Sequence, residues 1–226
     1  TVILLLPALF LAIWAQVRVK SAYLRYSEVM TRAGLSGAEV ARLILRNEGI
    51  HDSSGSGGCR IEPTGGELTD HYDPSSHTLR LSEPVYYGRS IAALGIAAHE
   101  AGHAIQHARS YAPLVLRSVM YPVSSFGSFL AWPLFIIGLI FSSPLLLKAG
   151  IVLFSVAVLF TVITLPVEFN ASNRALKALA EGGFLDTEEI RAARKVLSAA
   201  ALTYVAAAAM AIMQLLRMVL LARSRD

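Results

Sequence analysis

Long apolar segments alternate with polar ones along this chain of 226 residues, and their lengths predict which parts cross a membrane. Four segments carry almost no charge and reach or approach the roughly 20 residues of a membrane-spanning helix. These segments are residues 1–17, 118–147, 148–167 and 196–221. The two polar segments, residues 18–117 and 168–195, are predicted to lie outside the bilayer.

The first apolar segment, residues 1–17, is the shortest of the four, and a cleaved signal peptide is the alternative to a span. A signal peptide carries basic residues before its apolar core and a small-residue cleavage site after it. This segment shows neither feature, and it is followed by Arg18 and Lys20. We therefore expect a retained membrane anchor.

The first polar segment is punctuated by the stop and start signals of short helices and strands. An amphipathic helix follows the anchor and is expected to stop at Gly34, and a second helix begins after Ser36 and ends at Gly49. Two short strands are predicted around residues 60–62 and 77–81. An exposed strand in this position can bind an extended substrate along its edge.

The second polar segment, residues 168–195, predicts a helical hairpin. Gly182 and Gly183 interrupt the helical pattern in its middle. Asp186 or Thr187 is well placed to cap the helix that follows.

The stretch of residues 91–107 reads IAALGIAAHEAGHAIQH and contains an HExxH pattern. His99 and His103 are four residues apart, so on an α-helix both imidazoles lie on one face and can bind a single Zn²⁺. Glu100 is rotated by about 100° from His99 and can reach a water on the metal without being a ligand. The apolar residues before the motif are too few to span a bilayer.

The two histidines need a third protein ligand, because a catalytic zinc site has three and keeps one position open for water. A metzincin would have glycine and histidine where this chain has Gln106 and Arg109, so that class is excluded. Glu168 ends the third apolar segment and is the only carboxylate between Glu100 and Glu181. Glu168 is therefore the predicted third ligand, and an interfacial charge at a helix end is the alternative.

Composition and charge distribution agree with a membrane protein. Hydrophobic residues make up 54% of the chain and charged residues 16%, against about 25% charged in soluble domains. The net charge is only +4 and no basic patch is visible, so nucleic acid is not an expected partner. The single cysteine, Cys59, excludes an intrachain disulfide. Of the 20 lysines and arginines, 16 lie in the two polar segments, which predicts that both segments face the cytoplasm.

The residues around the motif resemble a known family. HEAGHAIQ at residues 99–106, the segment from residue 68 that precedes it, and PVEFNAS at residues 166–172 are similar to the YugP-type membrane zinc metallopeptidases, which are bacterial. EFNAS is also similar to the ExxAD segment of the HtpX/Ste24-type membrane peptidases. That resemblance gives the role of third zinc ligand to Glu168. It departs at Ser172, where those peptidases often have an aspartate that orients a ligand histidine.

Together these observations predict a mainly α, polytopic membrane protein with four transmembrane helices and a small zincin-like cytoplasmic domain that contains short β-strands. The expected activity is that of a zinc-dependent endopeptidase of the cell membrane, with His99, His103 and Glu168 as Zn²⁺ ligands and Glu100 as the catalytic base. The expected substrate is a membrane-associated polypeptide. A membrane protein or a second copy of the chain is a further possible partner.

Two other functions stay open at this point. A membrane scaffold or adaptor with a structural zinc site would need a fourth ligand, for which His107 is the candidate; His107 could instead contact substrate or end the helix. A transporter is disfavoured because no charge lies in the middle of a span. Asp70, His71 and Asp73 could bind another cation, although acidic residues before a proline are typical of a turn.

Overall fold

The computed structural model describes residues 2–52 and 58–224, and the chain in these ranges is mainly helical. A 3₁₀-helix at Val2–Leu5 precedes the longer elements. The α-helices of these ranges are α1 (Leu6–Ser27), α2 (Gly37–Asn47), α3 (Glu83–Tyr86), α4 (Ile91–Ala108), α5 (Ala112–Ile140), α6 (Pro144–Glu181) and α7 (Thr187–Arg223). The strands of these ranges are β1 (Arg60–Thr64), β2 (His71–Asp73) and β3 (Thr78–Ser82).

Four helices within the described ranges are long and apolar enough to cross a membrane: Ile3–Ser27, α5, α6 and α7. The surface of α5 shows what such a helix presents to its surroundings. Phe126, Phe129 and Ile140 are 66%, 75% and 69% exposed, which suits a lipid environment rather than water. The predicted mainly α membrane fold with four candidate spans is thereby confirmed.

Three of these helices, Ile3–Ser27, α6 and α7, are longer than the apolar segments that predict them. Helix α1 continues past residue 17 to Ser27, and α7 already begins at Thr187. Helix α6 runs through Val167 and Glu168 without a break. The backbone hydrogen bonds of a helix do not depend on side-chain polarity, so a helix can continue where its side chains change from apolar to polar.

The chain forms two compact units. The first consists of Thr1–Gln16, Ala112–Val167 and Leu202–Asp226, and the second of Val17–Tyr111 and Glu168–Ala201. In the first unit, Phe135, Leu147 and Met218 form a buried cluster. Helices α5 and α6 also approach closely there, since a Cβ added at Gly150 would lie 2.9 Å from the carbonyl oxygen of Ala131. Only glycine allows that approach.

A small sheet with the strand order β1–β3–β2 lies in the second unit. Strand β1 is parallel to β3 and β2 is antiparallel to it, and Leu79 and Leu81 of β3 are fully buried. The sequence predicts β1 and β3 but not β2, whose polar residues are typical of a turn. The expected turn begins at the end of β2, where the Asp73 carboxylate accepts hydrogen bonds from Ser75 and Ser76.

Helix α2 has the predicted boundaries. Ser36 and Glu39 form a capping box, in which the Ser36 hydroxyl accepts from the Glu39 N–H at 3.3 Å and the Glu39 carboxylate accepts from the Ser36 N–H at 2.7 Å. Gly49 has a φ of +76° just beyond the helix, a conformation that favours glycine and ends the helix.

Helix α1 ends earlier than the sequence predicts, at Ser27 rather than near Gly34. The chain after it pairs with the segment just before α4: the Thr31 N–H donates to the Arg89 carbonyl and the Ile91 N–H donates to the Val29 carbonyl, both at 2.9 Å. These tertiary hydrogen bonds replace those that a continued helix would make. They tie the start of α4 to the segment after α1.

Candidate metal centre

Helix α4 carries the HExxH motif and starts at a capping residue. The Ser90 hydroxyl accepts a hydrogen bond from the Ala93 N–H at 3.2 Å, which satisfies one of the free donors of the first turn. The apolar lead-in to the motif is buried in the second unit rather than exposed to lipid. One turn of helix separates His99 from His103, and their rings lie nearly perpendicular with centroids 4.8 Å apart.

Helix α6 brings Glu168 to the two histidines. Its Oε2 lies 3.3 Å from Nε2 of His99 and 3.5 Å from Nε2 of His103. One potential ligand atom from each of the three residues lies within 4.8 Å of the others, and no other such group of histidine, cysteine or acidic residues occurs in the described ranges. Two imidazoles and one carboxylate are a donor set of catalytic zinc sites, so these residues fit the metal.

Close contact between α4 and α6 makes this arrangement possible. A Cβ added at Gly102 would lie 2.8 Å from the carbonyl oxygen of Ala171 and 3.3 Å from its Cα. Any side chain at this position would push the two helices apart. Gly102, in the middle of the motif, is therefore what allows the backbone of α6 to come near the histidine face of α4.

Each histidine also has a partner at its other ring nitrogen. The Ser172 hydroxyl lies 3.1 Å from Nδ1 of His99, and Oε1 of Gln106 lies 3.0 Å from Nδ1 of His103. A proton on each Nδ1 leaves the lone pair of each Nε2 directed to a metal. The hydroxyl of Ser172 thus occupies the place of the aspartate that is expected from the resemblance, and it contacts the same kind of atom.

The contact made by Gln106 belongs to a longer chain of hydrogen bonds. Its Nε2 donates to Oδ1 of Asn170 at 3.0 Å, and Nε of Arg174 donates to the same oxygen at 2.7 Å. This series of hydrogen bonds links α4 to α6 beside His103 and Glu168. The sequence pattern did not predict that Gln106 and Asn170 lie beside this group. The signals in the sequence were the spacing of three residues from His103 to Gln106 and of two from Glu168 to Asn170.

Glu100 lies beside the three residues but outside the group that they form. It is 9% exposed, and its Oε2 accepts a hydrogen bond from the N–H of Tyr72 in β2 at 3.1 Å. This bond holds the carboxylate against the sheet. The carboxylate of Glu100 therefore lies near the two histidines and Glu168 without belonging to their group.

Burial and charge act in opposite directions on His103. Burial alone lowers the pKa of this histidine, whereas the hydrogen bond to Glu168 and the charge of Glu100 raise it. The net direction is upward. The site therefore favours positive charge at its centre, whether that charge is a proton or a bound cation.

The remaining candidates of the sequence analysis lie elsewhere. Nδ1 of His107 is 2.8 Å from the hydroxyl of Tyr72, and His107 is not part of the group formed by His99, His103 and Glu168. Asp70 accepts hydrogen bonds from the N–H and hydroxyl of Ser82, and burial raises its pKa. Hydrogen bonds from Ser75, Ser76 and Arg80 lower the pKa of Asp73.

His71 lies between Asp70 and Asp73 in the sequence, and its side chain contacts the backbone two residues earlier. Its Nδ1 lies 2.7 Å from the carbonyl oxygen of Thr69. In the described ranges, Asp70, His71 and Asp73 do not form a group whose ligand atoms converge on one point. Their contacts hold the sheet and its turn together.

Comparison with known proteins gives a consistent result. The family model described as "Putative neutral zinc metallopeptidase" matches residues 1–223. A protein of Bacillus subtilis (strain 168) named "Putative membrane protease YugP" is 50% identical over 220 residues, which is 97% of this chain and 95% of that protein. The search of solved structures gives no significant match. The resemblance to the YugP-type membrane zinc metallopeptidases is thereby confirmed, and this chain belongs to the "Putative neutral zinc metallopeptidase" family.

Proposed function

We propose that this chain is a zinc-dependent endopeptidase that cleaves membrane-associated or membrane-near polypeptides. The observation that carries the proposal is the cluster of His99, His103 and Glu168, whose potential ligand atoms lie within 4.8 Å of one another. Glu100 lies next to that cluster and supports an assignment as the catalytic base. The family and the related membrane protease, both named for this activity, support the same reaction class.

Zinc held by the three ligands would lower the pKa of a bound water and polarise the scissile carbonyl. The protein supplies the proton transfers. Glu100 accepts the proton of the attacking water and delivers it to the amine of the leaving peptide. The Tyr72 N–H keeps the carboxylate oriented through Oε2, while Ser172 and Gln106 keep the two imidazoles in the required tautomer.

The position of Glu168 supports a substrate at or near the membrane. In α6, Glu168 directly follows the uncharged residues 149–167, so the third ligand lies where the apolar part of the helix ends. The distribution of lysine and arginine supports a cytoplasmic position for the site. A polypeptide that leaves the membrane on that side would meet the site.

Substitution of Glu100 by glutamine tests the reaction. Glutamine keeps the shape of the side chain but cannot accept the proton, so we expect the zinc content to be retained and cleavage to fall by about 10²–10⁴-fold. The zinc content of the purified full chain is measured by mass spectrometry. Cleavage by the same protein is measured with casein and with a membrane-derived peptide.

Glu181→Gln, the same change at an exposed residue at the end of α6, is the matched control and should behave as wild type. Glu168→Ala should instead lower the zinc content, because it removes a ligand. Equal rates of cleavage by wild type and Glu100→Gln would show that Glu100 is not the catalytic base.

A structural zinc site in a membrane scaffold remains the alternative, and it would need a fourth protein ligand. Within the described ranges, the converging group contains three residues, and His107 is hydrogen-bonded to Tyr72 instead. The geometry therefore favours an open catalytic site over a closed structural one.

A further inference from the structure

A cavity of about 170 Å³ lies on the face of α4 that also carries Glu100. Its walls include Ala104, His107 and Ala108 from this helix. These residues follow Glu100 by four, seven and eight positions, a spacing that places them all on one face of an α-helix. The cavity therefore begins about one helical turn from the proposed catalytic base.

Tyr72 connects the cavity to the base. Its backbone N–H donates to Oε2 of Glu100 at 3.1 Å, and its hydroxyl lies 2.8 Å from Nδ1 of His107. Tyr72 and His107 both line the cavity. In the sheet, its strand β2 pairs only with β3 among the described strands, so β2 is an edge strand. The Tyr72 N–H at this edge is already bonded to Glu100, so Tyr72 borders both the proposed base and the cavity. A side chain of a peptide that is held beside Glu100 would therefore be close to the cavity.

Part of the wall is apolar. Ile50, Cys59, Ala104 and Ala108 supply this part. Burial raises the pKa of the Cys59 thiol to about 11, so this side chain is uncharged at neutral pH. It then behaves as a small apolar group.

Another part of the wall is aromatic. Tyr72, His77 and His107 supply this part, and the rings of the two histidines lie 5.0 Å apart. Gly58 completes the wall. Burial and the neighbouring His77 lower the pKa of His107. Among the described residues that line the cavity there is no carboxylate, lysine or arginine. A charged side chain would therefore find no counter-ion here.

The volume suits one side chain of medium size. An engineered apolar cavity of about 150 Å³ in another protein binds benzene, so about 170 Å³ accommodates a leucine, methionine or phenylalanine side chain. We propose that the cavity is a specificity pocket that binds an uncharged, apolar side chain of this size from a substrate residue next to the scissile bond. This proposal rests on the peptidase function proposed above.

A set of fluorogenic peptides tests the pocket with the full, zinc-loaded chain in detergent. The residues on either side of the scissile bond are varied one at a time among leucine, phenylalanine, alanine, aspartate and lysine. At one of the two positions we expect leucine or phenylalanine to exceed alanine in kcat/KM by at least about tenfold, because each methylene in such a pocket is worth about 10- to 200-fold. Aspartate and lysine should be cleaved more slowly than alanine.

Ala108→Leu fills the pocket from an exposed position of α4 and should lower the leucine-to-alanine ratio of kcat/KM by about tenfold or more. Ala104→Val narrows the same pocket from the helix side and should act in the same direction. Ala180→Leu, the same change as the first at an exposed position of α6, is the control and should keep the wild-type ratio. The zinc content of each variant reports whether it is folded.

The outcomes separate the two proposals. Zinc-dependent cleavage without a preference for apolar side chains, or with a ratio unchanged in both pocket variants, overturns the pocket and leaves the peptidase function standing. A wild-type protein that cleaves none of these peptides or casein in a zinc-dependent way overturns the peptidase function and the pocket with it.

Discussion

The residues that orient the two histidines differ in chemistry. Ser172 offers a hydroxyl to His99, and Gln106 offers an amide oxygen to His103. Neither is a carboxylate, so each makes its imidazole a weaker base than an aspartate partner would. Gln106 is completely buried, which limits its alternatives to the partners that it has in this structure.

At the scale of the residue, the structure predicts that Gln106 supports metal binding. Gln106→Leu removes the acceptor at Nδ1 of His103 with little change in volume, and we expect zinc affinity to fall by about 10- to 100-fold. Competition with a fluorescent zinc chelator measures this affinity. Gln106→Glu keeps an acceptor at Nδ1 of His103 but loses the donor to Asn170, so it should bind zinc more tightly than Gln106→Leu. Equal affinity in wild type and Gln106→Leu would show that the contact does not position the ligand.

At the scale of the element, α4 depends on glycine for its contact with α6. Gly102 meets the backbone of Ala171, whereas a Cβ at Gly95 would meet the Cβ of Ala193 at 3.8 Å, which is ordinary contact. The two glycines of one helix therefore differ in what an added methyl group does.

Gly102→Ala should destabilise the protein by about 1–3 kcal/mol through overpacking and should reduce zinc binding, because α6 carries Glu168. Gly95→Ala should be neutral or stabilise by up to about 1 kcal/mol, since alanine is the better helix former. Thermal unfolding in detergent and zinc content measure both effects. A Gly102→Ala variant as stable as Gly95→Ala, with full zinc content, would contradict the close packing of α4 and α6.

At the scale of the whole molecule, lysine and arginine distribution predicts the orientation of the chain in the membrane. Ser142 in the short connection between α5 and α6 and Glu181 at the end of α6 are both exposed. Since 16 of the 20 basic residues lie in the two polar segments, we expect Glu181 to face the cytoplasm and Ser142 the opposite side.

Cysteine labelling tests this orientation in intact cells. In a Cys59→Ala background, a membrane-impermeant maleimide should label Ser142→Cys and should leave Glu181→Cys unlabelled until the cells are opened. Labelling of both before opening, or the reverse pattern, would contradict a cytoplasmic site.

The sequence alone was enough to predict four candidate spans, the boundaries of α2 and the helix of the motif, because apolar length and capping residues are local properties. The sequence also led to Glu168, because Glu168 is the only carboxylate between Glu100 and Glu181. That His99, His103 and Glu168 bind zinc stays a prediction. The proximity of these residues is a property of the fold, and the distances of 3.3 and 3.5 Å come from it.

Other features depend on contacts between residues that are distant in the sequence, and these features appear only in the folded chain. Strand β2 has too little local signal to be predicted, and it exists because Tyr72 and its neighbours pair with β3 and face Glu100. The orienting role of Gln106 and the cavity beside Glu100 likewise need helices and strands to be packed before they appear. The HExxH motif of α4 supplies His99, Glu100 and His103. Packing of α6 and β2 against this helix determines which other side chains surround these three residues.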